Sequence, residues 1–318
     1  MVNLQGKVAV VTGAGRGLGR AHALALGAAG ARVIVNDVSV GLDGELDGSN
    51  QANAVVAELR ALGTDAYANN ASVANWAGAE SIITDALSHF GRLDVVINNA
   101  GINRSHRLVD LSEQDVDAEI STHLKGTIAV SHFAARHWST VGPEVGRCII
   151  NTSSSAGLHP TSGGGVYGAA KSAVAALTVS HAQDLAELGV RVNAIVPCAR
   201  TRMVEASPLV LRMMPTSTTD FDRYAPEHVS PLVVYLASDD NRFTGRVFGI
   251  EGPDLVLYRP FSADQQWHTD PSWSPQDIAD QLRDVDQRVL VHAFIPNGVI
   301  DQFVPPGSTL KRLPPAGA

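Results

Sequence analysis

The chain has 318 residues, 45% of them hydrophobic and 18% charged, and 24 basic against 32 acidic side chains give a formal net charge of −8. That much apolar material supports a large core and excludes global disorder, and the acidic balance excludes a basic nucleic-acid footprint. No apolar run approaches the roughly 18 residues that span a membrane, residues 1–7 do not read as a signal peptide, and Cys148 and Cys198 lack metal-type spacing, so a reducing, cytoplasmic setting without a metal site is expected.

In chain order, the β-branched run Lys7–Thr12 (K-V-A-V-V-T) predicts a buried strand and Gly17–Ala29 a helix. Arg32–Asn36 is the next strand, and Asn50–Leu62 a helix stopped by Gly63. Thr64–Ala68 predicts a strand, followed by a helix ending near Phe90 and a strand at Leu93–Asn98. Cys148–Asn151 and Arg191–Val196 repeat the theme, each after a long helix-like segment, while Ser39–Ser49, rich in Gly and Asp, reads as a surface loop. Strands apolar on both faces and separated by helices predict a doubly wound α/β fold around a parallel sheet.

The alternation ends near Gly249. Residues 1–250 therefore read as one domain, and 251–318 as a C-terminal extension expected to pack on that domain or on a neighbouring subunit. Within the extension, Asp254–Trp273 reads as irregular, and Ser274 and Pro275 open a helix reaching about Leu290, as N-cap and first helical residue. The last fifteen residues hold four prolines and two glycines and read as a loose tail.

The first strand runs into Thr12-Gly13-Ala14-Gly15-Arg16-Gly17-Leu18-Gly19. Gly13, Gly17 and Gly19 stand where the chain must turn tightly, approach a pyrophosphate and start a helix close to the strand. Free N–H groups and the positive helix end then face the phosphates. This makes the sheet Rossmann-type, with Arg16 and Leu18 completing the turn. Asp37, 18 residues after Gly19 at the end of the second strand, can accept hydrogen bonds from the adenosine ribose and would repel a 2′-phosphate. Arg16 pulls the other way, but Asp37 meets the ribose directly, so NAD is the expected cofactor rather than NADP.

Tyr167 and Lys171 stand at i and i+4 in Y-G-A-A-K, on one face of a helix if that segment is helical. Ser154 lies 13 residues before Tyr167, just past a strand. Together with Thr12–Gly19 and Asn98-Asn99-Ala100-Gly101, in this order and spacing, these residues resemble the short-chain dehydrogenase/reductase family over about residues 4–250. The resemblance implies an NAD-dependent oxidoreductase that interconverts a secondary alcohol and a ketone. Tyr167 would be the base. Tyrosine has an ordinary pKa of about 10, and a neighbouring ammonium favours its phenolate. Lys171 would supply that charge and bind the nicotinamide ribose. Ser154, selected by spacing over its neighbours Ser153 and Ser155, would hold the substrate oxygen. Asn99, Ala100, Gly101 and Thr201 fall on family cofactor positions. The resemblance further implies homodimers or homotetramers built on helices near 112–139 and 166–188.

The chain departs from the family pattern in three places. His123, in T-H-L-K-G, replaces the usual Asn, which puts the usual water-linked proton relay in doubt, although an imidazole suits proton traffic. Ala71-Ser72-Val73 lacks the usual acid before Val73, so the adenine would rest on backbone groups and Ser72. Cys198 follows Pro197 where Gly is usual. The His-Leu-Lys-Gly segment, the Val35-Asn36-Asp37 strand end with its Gly-rich insertion, Thr201-Arg202-Met203 and Pro226–Val233 resemble one branch of the family. It comprises the dehydrogenase modules of the peroxisomal multifunctional β-oxidation enzymes (17β-hydroxysteroid dehydrogenase type four) and their bacterial relatives. That branch implies lipid or steroid metabolism, with a 3-hydroxyacyl-CoA or steroid-derived substrate. Arg202–Tyr224 corresponds to the family's substrate loop, and its Met203, Leu209, Leu211, Met213 and Met214 suit a bulky apolar substrate. The reading from another class is a regulatory or scaffold protein that binds NAD without turnover. Intact Ser154, Tyr167 and Lys171 count against it.

Overall fold

A computed structural model describes residues 2–39, 50–104, 106–160, 163–205, 211, 214, 221–259, 272 and 275–281. The chain divides into two compact units, Met1–Tyr258 and Arg259–Ala318. In the first, eight strands form one sheet: β1 (Val8–Thr12), β2 (Arg32–Asn36), β3 (Ala66–Asn69), β4 (Val95–Asn98), β5 (Cys148–Thr152), β6 (Arg191–Pro197), β7 (Arg246–Glu251) and β8 (Asp254–Tyr258). Their order is β3-β2-β1-β4-β5-β6-β7-β8, with every pairing parallel except β7 with β8.

The inner strands bury both faces, and the two-residue period divides their side chains between two cores. Ala9, Val11, Val33, Val35, Val95, Ile97 and Ile150 pack on one side, with Leu26 of helix α1 (Gly17–Ala28) and Leu59 of α2 (Gln51–Ala61). Val8, Val10, Ile34, Val96 and Ile149 pack on the other, with residues of α3 (Trp76–Phe90). Fully burying each such Val or Ile is worth about 1.5–3 kcal/mol. Trp138 is fully buried there too, with its Nε1 donating to the Leu93 carbonyl at 2.8 Å.

Helix ends fall where the sequence supplies capping groups. The Asn75 side chain accepts from Gly78 N–H at 2.6 Å, and Gly91 takes a left-handed φ of 74° to stop α3. Ser112 and Asp115 form a capping box on α4 (Glu113–Glu119), which runs without a break through a π-helix (Ile120–Lys125) into α5 (Gly126–Val141). Helix α6 (Ser155–Leu158) follows β5, α7 (Gly165–Asp184) carries the Tyr-Lys pair, and α8 (Arg202–Glu205) and α9 (Ser230–Ala237) complete the unit.

One expectation is corrected. Asp254–Tyr258, read as part of an irregular segment, is strand β8, which turns back on β7 through Gly252 with φ +52°. The sheet therefore extends past residue 250. In the second unit a helix starts at Pro275 as expected and is described to Gln281. The expected cap Ser274, most of the Ser39–Ser49 loop, the loose tail and the substrate-loop residues Leu209 and Met213 lie outside the described residues, as does the side chain of Met203.

Candidate active site

Strand order reverses between β1 and β4, and a doubly wound sheet opens a ligand crevice outside the carboxyl ends of its strands at that point. The glycine turn lies there. Gly13 and Gly17 adopt φ of +61° and +51°, a region that L side chains rarely occupy. A Cβ on Gly13 would stand 2.7 Å from the Ala100 Cα, and one on Gly19 would stand 2.1 Å from the Gly13 carbonyl oxygen. Arg16 has extended backbone and caps α1. Leu18 packs against the first core, leaving the backbone of the turn to face a ligand.

The Asn-Asn-Ala-Gly segment braces this turn. Asn99 Nδ2 donates to the carbonyls of Thr12 at 2.9 Å and Gly13 at 3.1 Å, and the amides of Asn99 and Ala100 donate to Thr12 Oγ1 at 3.0 and 3.1 Å. The Asn99 side chain is thus committed to shaping the turn. Asn98, one residue earlier, points into the sheet and donates to Ser131 Oγ and Asn151 Oδ1, each at 2.9 Å.

At the end of β2, the Asp37 carboxylate accepts from Gly15 N–H at 2.8 Å and from Ser39 N–H at 2.6 Å. Two of its roughly four lone-pair positions stay open. The next loop is tied by Asn36 Nδ2, which donates to the Ala71 carbonyl at 2.8 Å. Ser72 Oγ accepts from Ala74 N–H at 3.2 Å, and Val73 packs so closely that a Cβ on Gly126 would meet it at 2.9 Å. Thr201 sits against Gly17 on the far side of the turn. Glycines whose missing Cβ leaves a cradle at a helix start, with a fixed acid beside them, fit a dinucleotide.

The second half of the site stands beyond β5. Two glycines let α6 and α7 meet backbone to backbone. A Cβ on Gly157 would lie 2.6 Å from the Lys171 carbonyl carbon, and one on Gly168 would lie 2.7 Å from the Ala156 carbonyl oxygen. That closeness sets Ser154, the cap of α6, beside the Tyr167 hydroxyl. Ser153 is excluded from this role, because its buried hydroxyl donates to the Lys171 carbonyl at 2.8 Å; Ser155 is exposed.

Lys171 is buried, its Nζ donating to the Thr152 carbonyl at 2.7 Å and lying 5.7 Å from the centre of the Tyr167 ring. Burial pushes its ammonium down to about 7, opposed by the charge of Glu119. Burial raises the Tyr167 phenol, and the neighbouring Ser154 hydroxyl lowers it. His123 meets Tyr167 edge to face, with ring centres 5.1 Å apart. Its Nε2 lies 2.7 Å from the Ile102 carbonyl oxygen and 3.3 Å from the Ile102 amide nitrogen. We assign the proton to Nε2 on the shorter contact. Nδ1 is then a buried acceptor without a hydrogen-bond partner. Burial, then the Lys171 charge, holds this imidazole far below its ordinary pKa, hence neutral. Gly101 makes the placement possible, since a Cβ there would stand 2.6 Å from His123 Cε1.

Every site residue named from the sequence thus falls in one of two clusters along a single edge of the sheet. Among the described residues, no group of His, Cys, Asp and Glu could hold a metal ion, and no helix is long and apolar enough to cross a membrane. Sequence reasoning did not single out Glu119, a buried carboxyl whose charge reaches both Tyr167 and Lys171.

The short chain dehydrogenase profile matches residues 7–208. The chain belongs to the short-chain dehydrogenase/reductase family. It is 39% identical over 297 residues to the hydroxyacyl-CoA dehydrogenase ChsB1 of Mycobacterium tuberculosis, covering 89% of each chain. It is 37% identical to the peroxisomal multifunctional enzyme type 2 of Mus musculus, over 78% of this chain and 32% of the mouse protein. A crystal structure of a short chain dehydrogenase from Mycobacterium avium superposes with a TM-score of 0.78 at 44% identity, covering 88% of this chain and 94% of that one. The family uses nicotinamide cofactors, and its solved structures include both kinds. A Burkholderia cenocepacia member at 32% identity (TM-score 0.68) is in complex with NADP, and a 7α-hydroxysteroid dehydrogenase at 25% identity (TM-score 0.69) is complexed with NADH. This chain is an oxidoreductase acting on CH–OH groups.

Proposed function

We propose that the chain is an NAD-dependent dehydrogenase that interconverts the secondary alcohol of a 3-hydroxyacyl-CoA with the corresponding ketone. The observation that carries the chemistry is the trio of Ser154, Tyr167 and the buried Lys171, brought together by the close contact of α6 with α7. Similarity to a hydroxyacyl-CoA dehydrogenase over most of both chains favours the acyl substrate. A steroid-derived substrate is the second reading, favoured by the likeness to the hydroxysteroid dehydrogenase.

The backbone of Gly13–Gly19 would hold the pyrophosphate, Ser72 and Val73 would flank the adenine, and Thr201 and Lys171 would meet the nicotinamide end. A nicotinamide held there would supply the acceptor for the hydride of the substrate carbon. Ser154 donates a hydrogen bond to the substrate oxygen and aims it at Tyr167. The Tyr167 phenolate takes the hydroxyl proton as the hydride leaves, and the Lys171 ammonium stabilises that phenolate. His123, neutral and packed on the Tyr167 ring, offers Nδ1 as the open acceptor of the centre. NAD is favoured over NADP because two backbone N–H groups fix Asp37 where a 2′-phosphate would bring a second negative charge. Assembly into dimers or tetramers through α4–α5 and α7 and a cytoplasmic setting belong to the same reading; both cysteines are free thiols.

Reduction of NAD and of NADP, each with a 3-hydroxyacyl-CoA and with a hydroxysteroid, tests this. NAD with the acyl substrate should dominate, and Tyr167→Phe should keep NAD binding while losing about 10³-fold or more in turnover. Equal use of both cofactors removes the Asp37 argument, and surviving Tyr167→Phe turnover removes the base.

A further inference from the structure

Glu119 is the last residue of α4, at the point where the π-helix begins, and only 1% of it is exposed. A carboxyl buried this far costs several kcal/mol unless it is paired or serves a purpose. Its Oε1 accepts from the Arg104 backbone N–H at 2.7 Å. Four residues on, His123 grips the Ile102 carbonyl. Two buried side chains of one continuous helical run therefore clamp the loop that leaves β4, at Ile102 and at Arg104. The π-helix and α4 both pack against α7, which carries Tyr167 and Lys171.

Resting on the reading of Tyr167 as base, we propose that Glu119 is a positioning residue of this centre: it fixes the loop that seats His123 and places a buried carboxylate on the helical run that packs against the Tyr-Lys helix. A buried lysine drifts toward the neutral form, and a neutral amine would no longer stabilise the phenolate. Burial pushes the Glu119 carboxyl up, as does Asp115 of α4, while the Arg104 N–H and the charges of His106 and Arg104 in the loop hold it down. The Glu119 charge acts in turn on Tyr167 and Lys171 of α7, and His123 meets the Tyr167 ring. The Glu119 charge raises both Lys171 and Tyr167. Removing it lowers both, so the two steps of the coupled pair move the same way.

The test is the pH profile of kcat/KM in Glu119→Gln. The amide oxygen of Gln can still accept from Arg104, so loop geometry is kept and charge alone is lost. Both limbs should move to lower pH by on the order of 0.5–1 unit, with coenzyme affinity unchanged. Glu119→Asp, which retains the charge, should keep the wild-type limbs even where its plateau drops. A Glu119→Gln profile that superimposes on the wild type, or a Glu119→Asp profile that moves with it, overturns the proposal. Ultraviolet titration of tyrosinate in the wild type and Glu119→Gln, with Tyr167→Phe as the blank, reads the same shift without substrate. Inactivity of the wild type toward every alcohol would count against the proposed function, whereas an unmoved Tyr167 titration would count against Glu119.

Discussion

The glycine turn after β1 and the Tyr-Lys pair on α7 lie along the same edge of one sheet and are held by opposite means. Around the turn, apart from the Asp37 carboxylate on Gly15 N–H, the bracing contacts join neutral groups: Asn99 to two carbonyls, Thr12 to two amides, and missing Cβ atoms that let the backbones close. Around Tyr167 stand titratable groups taken out of water: Lys171, His123 and Glu119. The first region is shaped by space and does not change with pH. The second stores a cost of burial that pH can release, as expected where proton transfer requires shifted pKa values.

Lys171→Met is the largest test of this contrast. Turnover should fall at least about 10³-fold, since the phenolate loses its counter-charge. Stability should move the other way. The folded ammonium titrates at about 7 against an ordinary 10.5. Between those values the unfolded chain holds a proton that the folded chain lacks, so the penalty on folding grows as pH falls from about 10 and is complete below about 7. Met carries no such penalty. Its stability relative to wild type should therefore rise by as much as about 4 kcal/mol from pH 10 to pH 7, on top of a pH-independent loss of about 1 kcal/mol for the bond to Thr152. Denaturant unfolding at several pH values measures it, and a pH-independent difference would show that burial does not depress the Lys171 ammonium.

Gly19→Ala probes the neutral region with a smaller effect. The added methyl meets the Gly13 carbonyl oxygen at 2.1 Å and Asn99 Nδ2 at 2.6 Å, so backbone must move. Overpacking of this kind costs about 1–3 kcal/mol. NAD affinity should fall about 10- to 100-fold as the turn opens, and the loss of stability should be the same at pH 7 and pH 10. Isothermal titration with NAD and unfolding at the two pH values check both statements.

The neutral region was also the more legible one. Its glycines, Asp37 and the Asn-Asn-Ala-Gly run occupy fixed spacings, because backbone geometry leaves few residue types that fit. Tyr167, Lys171 and Ser154 were legible through helical periodicity and distance from a strand. Glu119 was not. Periodicity arguments assume 3.6 residues per turn, and the π-helix that begins after Glu119 shifts which face its neighbours present. An acid in an acidic helix start reads as solvated until that turn buries it. Strand β8 left a signal that went unused: Gly252-Pro253 between V-F-G-I-E and D-L-V-L-Y is a hairpin pattern, masked because the parallel alternation had just ended.

Ser153→Ala should have the smallest effect, and it sharpens the border between the two regions. Ser153 and Ser154 are adjacent, yet one hydroxyl braces the helix and the other meets the phenol. Loss of the Ser153 bond leaves the Lys171 carbonyl without that donor, at a cost of about 1 kcal/mol in unfolding free energy. Because α7 stays pinned by the Gly157 and Gly168 contacts, turnover should stay within about three-fold of wild type, well short of the 10²-fold scale expected for a group aligned with the reacting proton. A larger drop in kcat with unchanged stability would place Ser153 in the proton-transfer cluster, and the boundary between the scaffold and the titratable centre would then run through β5 itself.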